Sequence, residues 1–100
     1  MNLDFDIDVL EKVDQKINTE KEKMWRVILW NDDVNTFEWV IASCIEICNH
    51  ELEQAEQIAN LVHYKGKATV KSGEKDKMIS IKENFLARMI TATVEYTSES

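Results

Sequence analysis

The sequence contains no proline and only two glycines, Gly66 and Gly73. A phosphate-cradling loop needs clustered glycines whose backbone N–H groups can face the anion, so P-loop and dinucleotide-binding enzymes are excluded. Turns must be made by Asn, Asp and Ser instead. Cysteine is equally scarce. Cys44 and Cys48, four apart, do not make the disulfide framework of a small secreted domain. Basic residues are in deficit, with 12 Lys and Arg against 19 Asp and Glu and a net charge of −7. Phosphate backbones and anionic lipids require clustered Lys or Arg, so neither nucleic acid nor a membrane surface is an expected partner. No apolar run approaches the roughly 18 residues of a membrane span. The N-terminus is acidic from Asp4 onward, unlike a signal or transit peptide. The expected compartment is the cytoplasm.

What is present is an ordinary globular composition, 100 residues with 44% hydrophobic. That length builds one core and leaves little room for a large internal catalytic cleft. Residues 1–22 hold seven acids and three lysines, −4 of the total charge. Leu3, Phe5, Ile7, Val9 and Leu10 form a short apolar patch that nothing continues, so this segment reads as a flexible acidic extension, with a docked helix as the alternative. Residues 23–97 form the domain and 98–100 a polar tail.

Residues 24–30 are aromatic and β-branched and read as a strand, with Trp25, Val27 and Leu29 on one face. Asn31-Asp32-Asp33 break it. Asn35 is the expected cap of a first helix, with Glu38 reaching back in a capping box. Phe37, Val40 or Ile41, Cys44 and Cys48 then recur at helical spacing. Asn49-His50 interrupts that pattern. A second helix carries Ala55, Ile58, Ala59 and Val62 on one face and ends at Gly66, which suits a left-handed cap. Residues 67–71 alternate as a short strand, and Ser72-Gly73 reads as a turn. Residues 75–88 read as a third helix, with Met78, Ile81 and Phe85 in a stripe and Arg88 near its C-terminus. Ile90, Ala92, Val94 and Tyr96 alternate in a last strand. The order is β-α-α-β-α-β. It predicts an α+β sandwich, with three helices on one face of a three-stranded, largely antiparallel sheet.

Few constellations carry chemistry. Cys44 and Cys48 lie one turn apart on an apolar face and read as small core hydrophobes, since a metal would need two further ligands. No Ser-His-Asp or Cys-His arrangement is signalled, so no enzyme, metal or cofactor is expected. Asp32 and Asp33 follow a strand end, a common place for a binding residue, although the local pattern alone favours plain turn chemistry. His63 closes a helix whose other face is core, and alone it reads as a solvated or capping histidine. Asn31, Asp32 and His63 together have another use. An amide oxygen, a carboxylate and a neutral imidazole nitrogen converging on one point accept hydrogen bonds from a primary ammonium. Such a set would suit a free α-amino group, as a binding site and not a catalytic one.

The run Val27-Ile28-Leu29-Trp30-Asn31-Asp32-Asp33, then Phe37-Glu38-Trp39-Val40, then Ala55 and Val62-His63-Tyr64-Lys65-Gly66-Lys67-Ala68, resembles the ClpS adaptor family over about residues 24–71. The resemblance implies a monomeric adaptor that recognises proteins with a destabilising N-terminal residue, an N-degron such as Leu, Phe, Tyr or Trp. It would deliver them to a ClpA-type AAA+ unfoldase that feeds ClpP. By the same resemblance Asn31 and His63 contact the α-amino group, Asp32 holds the first peptide residues and Asp33 neighbours the site. Asn35, Phe37, Val40, Ala59, Val62 and Ile90 line the side-chain pocket. Asn35 stands where the family usually has Thr, Phe37 where many members have Met, and Ala59 where a larger Met is common. The segment before the last helix is shorter than usual. A different reading is a docking module like the C-terminal domain of the ribosomal stalk protein, without a peptide pocket. The helices lack the Lys-rich, Gly-containing face such a module would show.

Overall fold

The computed structural model describes residues 25–97. The expected acidic extension, residues 1–22, and the tail, 98–100, lie outside the described residues. Strand β1 (Trp25–Trp30) is followed by helices α1 (Phe37–Cys48) and α2 (Leu52–Lys65). Strand β2 (Lys67–Gly73), helix α3 (Lys75–Ala87) and strand β3 (Ala92–Tyr96) complete the order. The sheet order is β2-β1-β3, and both pairings are antiparallel. The most β-prone segment of the chain therefore sits in the centre, paired on both edges.

Alternation along β1 divides the sheet into two faces. Val27 and Leu29 join Ala68 and Val70 of β2 and Ala92 of β3 in one core with the buried residues of all three helices. The helices thus cover a single face, as the alternating pattern predicts. Their buried rows are Val40, Ser43, Cys44 and Cys48 on α1, Ala55, Ile58, Ala59 and Val62 on α2, and Met78 and Phe85 on α3. Phe85 is fully buried at the centre of this layer, and truncating such a ring typically costs about 3–5 kcal/mol.

Three local expectations are corrected. First, the cap of α1 is Thr36, whose Oγ1 accepts from the Trp39 N–H at 3.0 Å. Asn35 lies one residue further from the helix, and its Nδ2 donates instead to Asp32 and the Met89 carbonyl. Second, Ser72 and Gly73 are strand, not turn. They pair with Arg26 and Trp25, and the turn falls on Glu74. Gly73 fits because a Cβ there would come 3.0 Å from the Met78 methyl. Third, Arg88 caps α3 instead of belonging to it, and its side chain turns to α1. There it meets Glu46 at 2.7 Å, donates to the buried Ser43 hydroxyl at 3.2 Å and lies over the Trp39 ring.

In β2 the register slips one residue opposite Val27 and Ile28. Val70 is the extra residue there; it is buried in the core, and Lys71 is exposed. His50 Nε2–H donates to the Val70 carbonyl there, at 2.7 Å. The carbonyl can only accept, which fixes the tautomer.

Candidate functional site

The site forms where β1 runs out. The Trp30 N–H still donates to Thr91 O (3.0 Å), and the Asn31 N–H donates to Gly66 O (2.9 Å). The strand end is thereby tied both to the segment entering β3 and to the cap of α2. Gly66 makes this possible with φ 95, a left-handed conformation that ends α2 directly after His63, Tyr64 and Lys65. The bond from Asn31 to Gly66 ties the asparagine after the strand to the helix end that carries His63, and both residues line one cleft.

Asp32 organises the loop that follows. Its Oδ1 accepts from the N–H groups of Val34 and Asn35, both at 3.0 Å, as an Asx-type turn. The Asn35 Nδ2 donates to both carboxylate oxygens and also to Met89 O at 2.8 Å. The Thr91 hydroxyl donates to Oδ2 at 3.3 Å. Burial pushes the Asp32 carboxyl up. The N–H groups of Asn35 and Val34, and then the Asn35 and Thr91 side chains, outweigh it and hold the pKa below its ordinary value. Asp32 is therefore charged at neutral pH, and it joins the segment after β1 to the segment before β3.

Between these segments and α2 lies a shallow cleft, partly open to solvent, with an enclosed space of about 10 Å³, room for about one water. It is lined by Leu29, Trp30, Asn31, Asp32, Asn35, Val40, Val62, His63 and Ile90. Its floor is apolar and its rim carries acceptors. His63 is half-buried, and its ring stands edge-on to Phe37 at 5.5 Å. Its Nδ1 is buried and has no hydrogen-bond partner. An unpaired buried nitrogen costs about 1–3 kcal/mol, so a native structure that keeps one usually has a use for it.

The structure gathers Asn31, Asp32, Asn35, Val40, Val62, His63 and Ile90 around this cleft. Asp33 is exposed beside it. Phe37 does not line it and instead packs on His63, while Ala59 is wholly buried in the core row of α2. Cys44 and Cys48 are buried free thiols. Burial, and then the neighbouring Cys48, pushes Cys44 up to about 12; burial pushes Cys48 up to about 11 against the pull of Lys71. Neither is a nucleophile. Among the described residues no three His, Cys, Asp or Glu side chains cluster as a metal site. No helix among them is long and apolar enough to cross a membrane.

Comparison with known proteins shows the family. Residues 20–92 match the family model described as ATP-dependent Clp protease adaptor protein ClpS. The chain belongs to the ClpS family. The ClpS protein of Corynebacterium aurimucosum is 31% identical over 68 residues, 68% of this chain and 61% of that protein. The ClpS of Clostridium acetobutylicum is 43% identical over 56 residues, 56% of this chain and 55% of that protein. An Escherichia coli ClpS is 39% identical over 66 residues, 66% of this chain and 60% of that protein. The chain thus spans less than two thirds of these curated relatives. Among solved structures, Agrobacterium tumefaciens ClpS2 bound to L-phenylalaninamide superposes with a TM-score of 0.68. The match is at 23% identity over 75% of this chain and 98% of that one, which shows the shared fold.

The ClpS-like segment carries most of the cleft, but sequence reasoning missed several of its parts. Leu29 and Trp30 line it from the strand. Thr91 and the Met89 carbonyl complete the loop around Asp32 from residues more than fifty positions away. The one available signal for the strand residues was their position immediately before Asn31.

Proposed function

We propose that this chain is a non-catalytic adaptor that captures proteins by a free, bulky hydrophobic N-terminal residue. It passes them to a ClpA-type AAA+ unfoldase for degradation by ClpP. The observation that carries this reading is the unpartnered, buried Nδ1 of His63, a residue that lines the same cleft as Asn31, Asp32 and the apolar Val40, Val62 and Ile90. An α-ammonium supplies the missing donor and a positive charge for Asp32. A Leu or Phe side chain enters between Val40, Val62 and Ile90, which part to admit it because the unliganded cleft holds only about one water. Burying that side chain contributes about 1.5–3 kcal/mol, and a charge-assisted bond to the ammonium adds about 1.5–3 kcal/mol before ordering costs. The ligand of Agrobacterium tumefaciens ClpS2, L-phenylalaninamide, has both features, an aromatic side chain and an α-amino group. Membership of a family described as Clp protease adaptors supports the unfoldase as the receiving partner.

The direct test is titration of a labelled peptide beginning with Phe or Leu against its N-acetylated twin. Acetylation removes the charge and the donors and leaves buried acceptors unpaired, so affinity should fall by at least about 30-fold. Equal binding of the two peptides, or of neither, overturns the reading.

A further inference from the structure

Helix α3 ends in a Schellman turn. The Met89 N–H donates to Leu86 O (2.9 Å) and the Ile90 N–H to Phe85 O (3.0 Å), with Met89 at φ 68. That position favours glycine, because a Cβ crowds the neighbouring carbonyl in left-handed backbone. Helix α2 ends with Gly66 in its left-handed position and avoids the crowding. Methionine in the equivalent place on α3 carries a backbone cost and returns nothing to the core, since it is 73% exposed. An apolar side chain held in disfavoured backbone and left in water calls for a use at the surface.

Its location supplies one. Met89 stands directly before Ile90, which lines the cleft, and its carbonyl accepts from Asn35. On the other loop Val34 is 75% exposed, and its N–H shares Asp32 Oδ1 with the N–H of Asn35. The Asp32–Asn35 clasp therefore holds the backbone at two residues with exposed apolar side chains, one on each of the loops whose neighbouring residues line the cleft.

We propose that Val34 and Met89 form an apolar lip that receives the second side chain of the bound peptide. The site would then read two residues and favour an apolar one in the second place. This rests on the N-terminal-residue reading above. With the amine at Asn31 and His63 and the first side chain among Val40, Val62 and Ile90, the next residue must leave over the rim. Methionine, unbranched and polarisable, adapts to apolar partners of varied shape.

The test uses the full chain and peptides that begin Phe-Leu or Phe-Ser and are otherwise identical. The wild type should bind Phe-Leu about fivefold more tightly, the scale of one partly covered side chain. Met89→Gly should bring this ratio to about one while raising the thermal midpoint, because it relieves the left-handed crowding. Met89→Ala, which keeps the crowding, should also lose the ratio, and Met89→Leu should retain it. A gain in stability beside a loss of discrimination is not what a merely structural residue gives. Equal affinity of the wild type for both peptides, or an unchanged ratio in Met89→Gly and Met89→Ala, overturns the lip and leaves the adaptor reading standing. Binding of neither peptide removes both.

Discussion

Within one cleft, the Asp32 carboxylate is held by Val34, Asn35 and Thr91, whereas Nδ1 of His63 has no partner at all. The first group is bound before a ligand arrives and the second is not. The difference assigns them separate work. Asp32 shapes the loop and contributes charge, and most of its acceptor capacity is already used. His63 packs edge-on against Phe37 and keeps one buried nitrogen unpaired. Preorganising one partner while leaving the other unsatisfied spares the ligand the cost of ordering the loop.

The strongest way to break this comparison is to remove each residue in turn. Asp32→Ala strips the loop of its acceptor, and several N–H and O–H donors lose their partner. Chemical unfolding should show a loss of about 2–3 kcal/mol, on the scale of a charged group's hydrogen bonds. Binding of a Phe-initiated peptide should fall together with it. His63→Ala should cost less, about 0.5–1.5 kcal/mol for the lost edge-on contact with Phe37, because no hydrogen bond to Nδ1 is lost. It should still weaken the same peptide by about tenfold or more. Comparable stability losses in the two variants would abolish the distinction.

A smaller effect follows from pH. Hydrogen bonding holds the folded pKa of Asp32 below its ordinary value, although burial alone would raise it. The unfolded chain therefore takes up this proton more readily than the folded one, and protonation favours unfolding. The stabilisation is complete above the ordinary carboxylate pKa, near pH 4, and fades as pH falls through the lower folded value. Asp32→Asn has no such proton to bind. Urea midpoints measured at pH 5.5 and pH 3 should therefore drop less for the variant than for wild type. An equal drop would show that the loop bonds do not favour the ionised form.

Much of this molecule was legible because its determinants are local. The row Ala55, Ile58, Ala59 and Val62 repeats at helical spacing and is buried as written, and Gly66 ends that helix in the left-handed conformation it suits. The strand before Asn31 is announced by its β-branched and aromatic residues. What was not legible depends on partners far along the chain. Asn35 looked like a helix cap because Asn and Glu38 have the right spacing. Its side chain is claimed by the Met89 carbonyl, 54 residues away, and the cap passes to Thr36. Ser72-Gly73 looked like a turn until β1 offered it backbone partners. Arg88 matched the charge preference of a helix end, but Glu46 and Ser43 on α1 decide where it points.

Asn35 also supplies the finest test of the comparison. Its Nδ2 is the link that carries Asp32's order across to the loop of Met89. Asn35→Ala removes that link but keeps the backbone N–H that Asp32 Oδ1 accepts. Nδ2 makes three contacts, but water can replace the lost donor at this partly exposed place, so the cost should stay at about 1 kcal/mol. Hydrogen exchange should quicken at the Val34 and Ile90 amides, because the two loops then move apart more freely. Peptide affinity should fall by only about threefold, less than for His63→Ala, since no donor or acceptor proposed for the amine has been touched. An Asn35→Ala loss as large as that of His63→Ala would mean that loop order, and not the free histidine nitrogen, limits binding.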